Sequence, residues 1–380
     1  MVDFGWNAEQ SARYEHLLTR LRQVCKDSHT EHPLGGRRRH WRCLGELGVL
    51  GSCVPAEHGG QGLGALDTAR VFEAAGRGCR HTGLVFGASA HLFACTMPIA
   101  EFGGPGLRAG FLPRLCSGEA IAGNAMTETE AGSDVSRLAT SARRAPGGWV
   151  LNGKKSFVSN GPVADVLLAY ATTDPRAGYL GQTAFVVDAG SPGVRLGPTM
   201  AKMGLDDCVA CAVHFEDCFV PDERVLGEPG QGGPIFQRSM EWERACLFAG
   251  YLGLADRLLD RVKEHARARR QYGAPISRLQ AVSHRIADMA TQVESARLLL
   301  YRACWQLDRG EPADLAIAMS KLAVSEGVLH SALDAVRLFG ARGYLSEDGI
   351  EAALRDTVPA VIFSGTSDIQ RQLIARELHL

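Results

Sequence analysis

The sequence predicts three regions: an all-helical N-terminal domain over residues 1–120, a small β domain over 121–230 and a C-terminal bundle of long helices over 231–380. Three observations predict it. Apolar residues keep helical spacing early and late in the chain, short β-rich runs separated by turn residues fill the middle, and a Gly/Pro-rich stretch marks the second junction.

In the first region, Leu66, Ala69, Val71, Phe72 and Ala75 lie on one helical face, and Gly and Pro turns break the pattern elsewhere. In the second, Trp149-Val-Leu, Ser156-Phe-Val-Ser, Val166-Leu-Leu-Ala-Tyr and Thr183-Ala-Phe-Val-Val read as strands between Gly, Pro, Asn and Asp. Gly227 to Gly233 is the linker. In the third, Leu279, Val282, Ile286, Met289, Val293, Ala296, Leu300, Ala303 and Leu307 alternate spacings of three and four, the narrow seam of a bundled helix. Met240, Leu247, Tyr251, Leu254, Leu258 and Val262 form a second stripe. Leu315, Met319, Leu322, Leu329, Leu333 and Val336 form a third, so several long antiparallel helices are expected to pack together.

The 380 residues include 41 basic and 42 acidic ones, a formal charge of −1, which gives no field to gather nucleic acid or an anionic bilayer. Met1 to Gln10 shows no apolar leader core. No later stretch is expected to reach the ~20 apolar residues of a membrane span, so the expected location is cytoplasmic. Eleven dispersed cysteines point to reduced thiols. Cys208 and Cys211 form a C-x-x-C, but Cys218 and His214 complete a zinc set only loosely, and no metal is expected. The run from Val209 to Glu216 reads as a buried strand. Gly60-Gln-Gly62-Leu-Gly-Ala65 mimics a dinucleotide fingerprint without the alternating strands and helices that such a fingerprint needs, and is expected to be a turn.

Glu243 is the conspicuous residue. Three positions after Met240 and four before Leu247, it points inward on an apolar stripe, where a carboxylate is costly unless paired or protonated. Arg244 is about 100° away around the helix and does not automatically neutralise it. Burial would raise its pKa and suit it to removing a proton from carbon. An ion pair between bundle helices is the alternative, and Glu326 on another stripe shows that the bundle accepts such residues. Spacing alone leaves both open.

Ala125-Met-Thr-Glu-Thr-Glu-Ala-Gly-Ser-Asp134 followed by Leu151-Asn-Gly-Lys-Lys-Ser-Phe-Val-Ser-Asn-Gly161 resembles the paired signatures of acyl-CoA dehydrogenases. The resemblance continues through Val54-Pro, Lys202-Met-Gly204, Val220-Pro221, Arg269-Arg-Gln-Tyr-Gly273, Phe339-Gly340 and Gly365-Thr-Ser-Asp-Ile-Gln-Arg371, nearly the whole chain. It implies a helical N-terminal domain, a central β-barrel-like domain and a C-terminal four-helix bundle, with FAD between the last two. Met126 and Thr127 match residues on the flavin pyrimidine edge. Ser133 matches one near the pyrophosphate and the substrate, and Phe157 and Ser159 match neighbours of the flavin ring. Arg269, Tyr272, Gln280, Leu338 and Gly340, with Thr366 and Asp368, match positions that hold the adenine diphosphate half of FAD across a subunit interface. A homodimer or homotetramer is therefore implied.

In the commonest family pattern a glutamate precedes Gly-Thr-Ser, and here Ser364 stands in that place. Isovaleryl-CoA dehydrogenase and its relatives carry the base before an arginine on a bundle helix, which Glu243-Arg244 resembles. The implied reaction is α,β-dehydrogenation of an acyl thioester, of coenzyme A or of an acyl carrier protein. Glu243 takes the α-proton, the β-hydride goes to FAD, and Arg244 and the Ser364 backbone belong to the substrate site. An electron-transfer flavoprotein is the implied acceptor. Two rivals share the fold: a flavin-dependent monooxygenase or oxidase, and a non-catalytic FAD-binding scaffold. Neither needs an inward glutamate. Asp206 and Cys208 depart from the usual Arg and Ser of the family on the substrate-facing side of the β domain.

Overall fold

A computed structural model describes residues 4–24 and 35–380. The N-terminal helices are α1 (Ala8–Val24), α2 (Gly35–Glu46), α3 (Ala65–Gly78), α4 (Thr82–His91), α5 (Met97–Phe102) and α6 (Pro105–Cys116). The glycine-rich turn at 60–64 leads into α3, and Asp308 occupies the start of that helix. Its Oδ1 accepts from the Ala65 N–H at 2.5 Å and its Oδ2 from that of Leu66 at 3.0 Å. A carboxylate from the bundle thus satisfies the donors that a dinucleotide fingerprint would offer to a pyrophosphate.

A π turn, Leu92–Thr96, joins α4 to α5 in one continuous helix. Contrary to the sequence expectation, Thr82–Phe102 is long and apolar enough to cross a bilayer by length and composition. However, 83% of its most apolar window is buried inside the fold, so here its apolarity serves the core.

The central region holds β1 (Ala122–Ala125), β2 (Ser141–Ala145), β3 (Gly148–Ser159), β4 (Val166–Thr172), β5 (Gln182–Asp188), β6 (Val194–Leu196), β7 (Ala210–Pro221) and β8 (Val225–Leu226). Hydrogen bonding runs β6-β7-β3-β2-β4-β5-β8, with β1 parallel to β4. β4 and β5 are buried along nearly their whole length, because one sheet face packs on its own small core and the other on the helices. The 209–216 segment falls largely in β7. Among the described residues no group of three His, Cys, Asp or Glu side chains is arranged to hold a metal.

The C-terminal helices are α7 (Gly232–Trp242), α8 (Phe248–Ala268), α9 (Gln280–Asp308), α10 (Asp314–Phe339), α11 (Ala341–Tyr344), α12 (Ile350–Thr357) and α13 (Ser367–Glu377). Between α8 and α9, a two-residue hairpin pairs β9 (Arg270–Gln271) with β10 (Ala274–Pro275). Tyr272 (φ 50°) and Gly273 (φ 79°) supply the positive dihedrals that such a turn demands.

The first two stripes differ from the third. Met240, Leu247, Tyr251, Leu254, Leu258 and Val262 are all buried, and Met289 to Ala303 likewise, although Leu279 is exposed. The third stripe is only half-buried. On α10 the packed face is instead Ala316, Ser320, Val324, Gly327, Val328, Ser331 and Ala335, because small residues let its neighbours approach closely and leave the leucines on the flank. Glu326 sits on that flank too, 3.2 Å from Arg371.

Helices α3 and α8 cross at glycines: a Cβ on Gly76 would lie 1.9 Å from the Gly250 carbonyl oxygen, and one on Gly253 2.1 Å from that of Glu73. Glu73, buried beneath this crossing, accepts from Arg297 Nε at 3.0 Å and from the Tyr301 hydroxyl at 2.7 Å, tying the N-terminal helices to α9.

Candidate active site

Glu243 opens a second π turn, Glu243–Leu247, between α7 and α8. Such turns insert an extra residue and recur at functional sites. This one packs against the first π turn, which brings Cys95 toward the carboxylate, and Tyr170 of β4 faces the same space.

Glu243 is buried, and the Ser364 hydroxyl donates to its Oε1. Arg244 Nε donates instead to the Ser364 carbonyl, at 2.9 Å, and Gln370 Nε2 to the same oxygen at 3.3 Å. Among the described residues Glu243 makes no ion pair, so the alternative left open by its spacing, a structural salt bridge, is not what the fold builds. Burial pushes the Glu243 carboxyl above its ordinary value, while the Ser364 hydrogen bond and the charge of Arg244 act the other way. A carboxyl raised by burial, with one hydrogen-bonded oxygen, is equipped to act as a general base.

Beside this carboxylate, four rings close the space between α4, α8 and the loop before α13. Phe363 lies 4.6 Å from Phe86, 5.5 Å from Phe248 and 6.0 Å from Tyr251, centroid to centroid. A small cavity beside Phe86 and Tyr251 is lined by Val85, Leu247, Gly250 and Leu254 among others.

A second cluster gathers where β1 meets β3. Beyond the end of β1 at Ala125, Met126 is buried and Thr127 half-buried. The Thr127 carbonyl accepts from the Ser156 N–H at 2.8 Å, and that of Met126 from Lys155 Nζ at 3.0 Å. Lys155 Nζ also lies 2.8 Å from Glu128 Oε1, and the Glu128 carboxylate accepts from the N–H groups of Ala139 at 2.6 Å and Thr140 at 3.0 Å. Burial drives the Lys155 ammonium down to about 8, against the attraction of Glu128. Burial also pushes the Glu128 carboxyl up, but Lys155 and the surrounding donors outweigh it and hold that carboxyl below its usual value.

The pair pins the 126–140 segment to β3 next to Phe157. That ring is 65% exposed on a residue held at φ 57°, an unusual presentation of a large apolar side chain. An exposed aromatic face beside the backbone groups of Met126 and Thr127 fits a planar flavin ring. Ser159 is half-buried two residues further along β3, and Ser133 is exposed on the loop after Met126.

The remaining positions matched by resemblance lie apart from this cluster, at the ends of bundle helices. Arg269, Tyr272 and Gln280 are exposed around the β9–β10 hairpin, and Leu338 and Gly340 end α10. Thr366 caps α13, accepting from the Ile369 N–H at 3.2 Å, and Asp368 is exposed in its first turn. Asp206 and Cys208 make contacts within the chain: Asp206 lies 3.7 Å from Arg355 of α12, and Cys208 Sγ is 3.5 Å from Asn160 Oδ1.

Sequence reasoning missed the Lys155–Glu128 pair, Gln370 and the aromatic wall. Lys155, Glu128 and Gln370 lie inside the matched motifs, and Phe363 stands directly before Ser364. The π turns leave no pattern in the sequence that distinguishes them from ordinary helix.

The models of the acyl-CoA dehydrogenase N-terminal, middle and C-terminal domains match residues 14–119, 123–218 and 230–379. The chain is 53% identical, over the full length of both, to an L-prolyl-[peptidyl-carrier protein] dehydrogenase of Pseudomonas fluorescens. It is 36% identical to the mitochondrial isovaleryl-CoA dehydrogenase of Oryza sativa subsp. japonica, over 89% of this chain and 82% of that one. Among solved structures, PigA with FAD and proline superposes with a TM-score of 0.96 at 41% identity, covering 100% of both chains. The prolyl acyl carrier protein oxidase AnaB superposes with a TM-score of 0.93 at 36% identity, over 99% of this chain and 100% of that one.

Fold and site define an FAD-dependent acyl-thioester dehydrogenase, an oxidoreductase acting on CH–CH donors. The chain belongs to the acyl-CoA dehydrogenase family.

Proposed function

We propose that the protein oxidises a small aminoacyl thioester, of the prolyl type, carried on a peptidyl carrier protein, with Glu243 as the base. The buried, hydrogen-bonded and unpaired Glu243 carboxylate carries this reading. Similarity to two prolyl-carrier-protein dehydrogenases, over 100% and 90% of the chain, supports the carrier-bound substrate. The aromatic wall supports a compact acyl group, since Phe86, Phe248, Tyr251 and Phe363 fill space that a long chain would need.

Glu243 removes the α-proton of the thioester. The Ser364 N–H donates to the carbonyl oxygen, where negative charge grows as that proton leaves. Met126, Thr127, Ser133, Phe157 and Ser159 hold the flavin half of FAD, which when bound supplies the acceptor for the β-hydride. Arg269, Tyr272, Gln280, Leu338, Gly340, Thr366 and Asp368 reach the adenine diphosphate half bound by a partner subunit. The exposure of Arg269, Tyr272, Gln280, Gly340 and Asp368 at helix ends supports a homodimer or homotetramer. Electrons then leave for a separate acceptor such as an electron-transfer flavoprotein.

The test is anaerobic mixing of the purified flavoprotein with prolyl-loaded carrier protein. Glu243→Gln keeps FAD and binds substrate but bleaches the flavin at least ~10²-fold more slowly, the low end of general-base contributions. Bleaching at the wild-type rate in that variant would overturn the assignment. Rapid wild-type turnover with oxygen and no other acceptor would favour the oxidase reading that the likeness to AnaB raises.

A further inference from the structure

Ser364 stands at φ 54°, in the left-handed region, and Gly365 follows at φ 84°. Glycine is the low-strain residue for such a position, whereas a serine there pays a conformational penalty. The strained backbone is anchored from the helical side, with Arg244 Nε and Gln370 Nε2 donating to the Ser364 carbonyl at 2.9 and 3.3 Å. Gln370 Nε2 also donates to the Gly365 carbonyl at 3.1 Å. What the serine adds is its hydroxyl, and that hydroxyl donates to Glu243 Oε1.

We propose that Ser364 is a positioning residue for the base: its hydroxyl holds one oxygen of Glu243, fixing the carboxylate's rotamer and leaving the other oxygen to take the substrate proton. The proposal rests on Glu243 being the base. The charged and titratable groups facing Glu243 from the packed elements are Arg244 on its own turn, Cys95 on the first π turn and Tyr170 on β4; Lys321 of α10 donates to the Ala360 carbonyl at 3.1 Å and feels the charge of Arg244. Burial makes Cys95 and Tyr170 hard to ionise, so both stay neutral beside the carboxylate at neutral pH. Arg244 is turned to the Ser364 carbonyl, and among the described residues Ser364 alone donates a hydrogen bond to the carboxylate.

The Ser364→Ala and Ser364→Gly variants separate the hydroxyl from the backbone. Both keep the residue 364 N–H, and glycine also relieves the positive φ. Each holo-variant is assayed for flavin content, substrate affinity and the pH dependence of anaerobic flavin reduction.

The proposal predicts that both variants retain FAD and bind substrate normally. Both should reduce flavin about tenfold more slowly on the high-pH plateau, the low end for a lost hydrogen bond to a charged group. In both, the acid limb of the rate profile moves to higher pH. Added to Glu243→Gln, Ser364→Ala should slow the residual rate no further, because the two residues act as one unit. A glycine variant with the wild-type profile would overturn the proposal, as would multiplicative slowing in the double variant, which would mean that the hydroxyl acts on the substrate instead. Failure of the base assignment has a different signature, unimpaired reduction in Glu243→Gln alone. If both variants lose FAD, Ser364→Cys, with a side chain of similar size and a weaker donor, decides the matter: slower flavin reduction than wild type with the acid limb moved to higher pH supports the proposal, and a wild-type profile overturns it.

Discussion

Lys155→Met removes the only cation that, among the described residues, lies on Glu128, while nearly preserving the volume and shape of a fully buried side chain. The carboxylate keeps its two N–H donors from Ala139 and Thr140, so it remains partly satisfied but loses its countercharge. The Met126 carbonyl loses its ammonium donor as well. Breaking one side of a buried pair costs roughly 3–5 kcal/mol, and the surviving donors place this case toward ~3. At about 2–4 °C per kcal/mol for a domain of moderate size, the holo-protein should melt ~6–12 °C lower.

Thermal denaturation at fixed FAD concentration measures the effect, and flavin retention after gel filtration reports on the 126–140 segment. The sign with pH follows from Glu128. In the wild type its carboxyl is held low, so its contribution is present above the ordinary carboxylate pKa and is lost as pH falls through the lower folded value. Without Lys155, burial is opposed only by the Ala139 and Thr140 donors and raises that carboxyl, which then takes up a proton in the folded state, and the gap between variant and wild type narrows as pH falls from neutral toward ~5. Glu128→Gln combined with Lys155→Met removes the unpaired charge and should recover at least half of the loss. A single variant within ~1 kcal/mol of wild type, or a double variant no better than the single, would refute the argument, since the full penalty of an uncompensated buried charge would then be absent.

Three further outcomes are expected. Gly253→Ala drives a methyl group into the Glu73 carbonyl and should destabilise the protein by about 1–3 kcal/mol in urea titration, whereas Gly110→Ala, with open space at its Cβ, should be neutral or mildly stabilising. His91, fully buried between the Leu115 carbonyl and the Ala122 N–H, is lowered to about 4 by burial. Its contribution is complete above ~6.5 and is lost as pH falls toward 4, about 3 kcal/mol in all, and His91→Gln should flatten that stretch of the stability profile. Arg269→Ala should lower flavin retention after gel filtration while leaving the thermal stability of the FAD-free protein unchanged, because its side chain is exposed.

The helical stripes at 240–262 and 289–303 were legible because a residue that must be buried declares itself by period, and Glu243 stood out for breaking that period. The third stripe misled for a physical reason. Close helix packing on α10 runs through Ala, Ser and Gly, which hydropathy does not flag, while its leucines lie on the flank. The apolar run at 82–102 was underread because Ser, His, Thr and Gly interrupt it, although inside the fold those groups are buried; the Ser89 hydroxyl, for one, bonds back to the Val85 carbonyl at 2.8 Å. For the site, the matched motifs located Ser364 but not what its side chain does. The contact between Ser364 and Glu243 spans 121 positions and depends on a π turn and a left-handed loop, neither of which has a periodic signature.

The touching side chains of Glu243 and Ser364 also constrain how such enzymes diverge. Side chains at 364 on the loop and 243 on the helix meet, so a carboxylate at either place would reach the same few ångströms without rebuilding the fold. The exchange cannot pass smoothly through every order of mutation. With glutamate at both places, two like charges would crowd each other and force one to stay protonated. With glutamate at neither, the α-proton has no acceptor. A single-step exchange of the acid between the two walls would pass through the doubly acidic stage or a dormant one, whereas in this chain the serine on the loop presents a hydrogen-bond donor to the carboxylate on the helix.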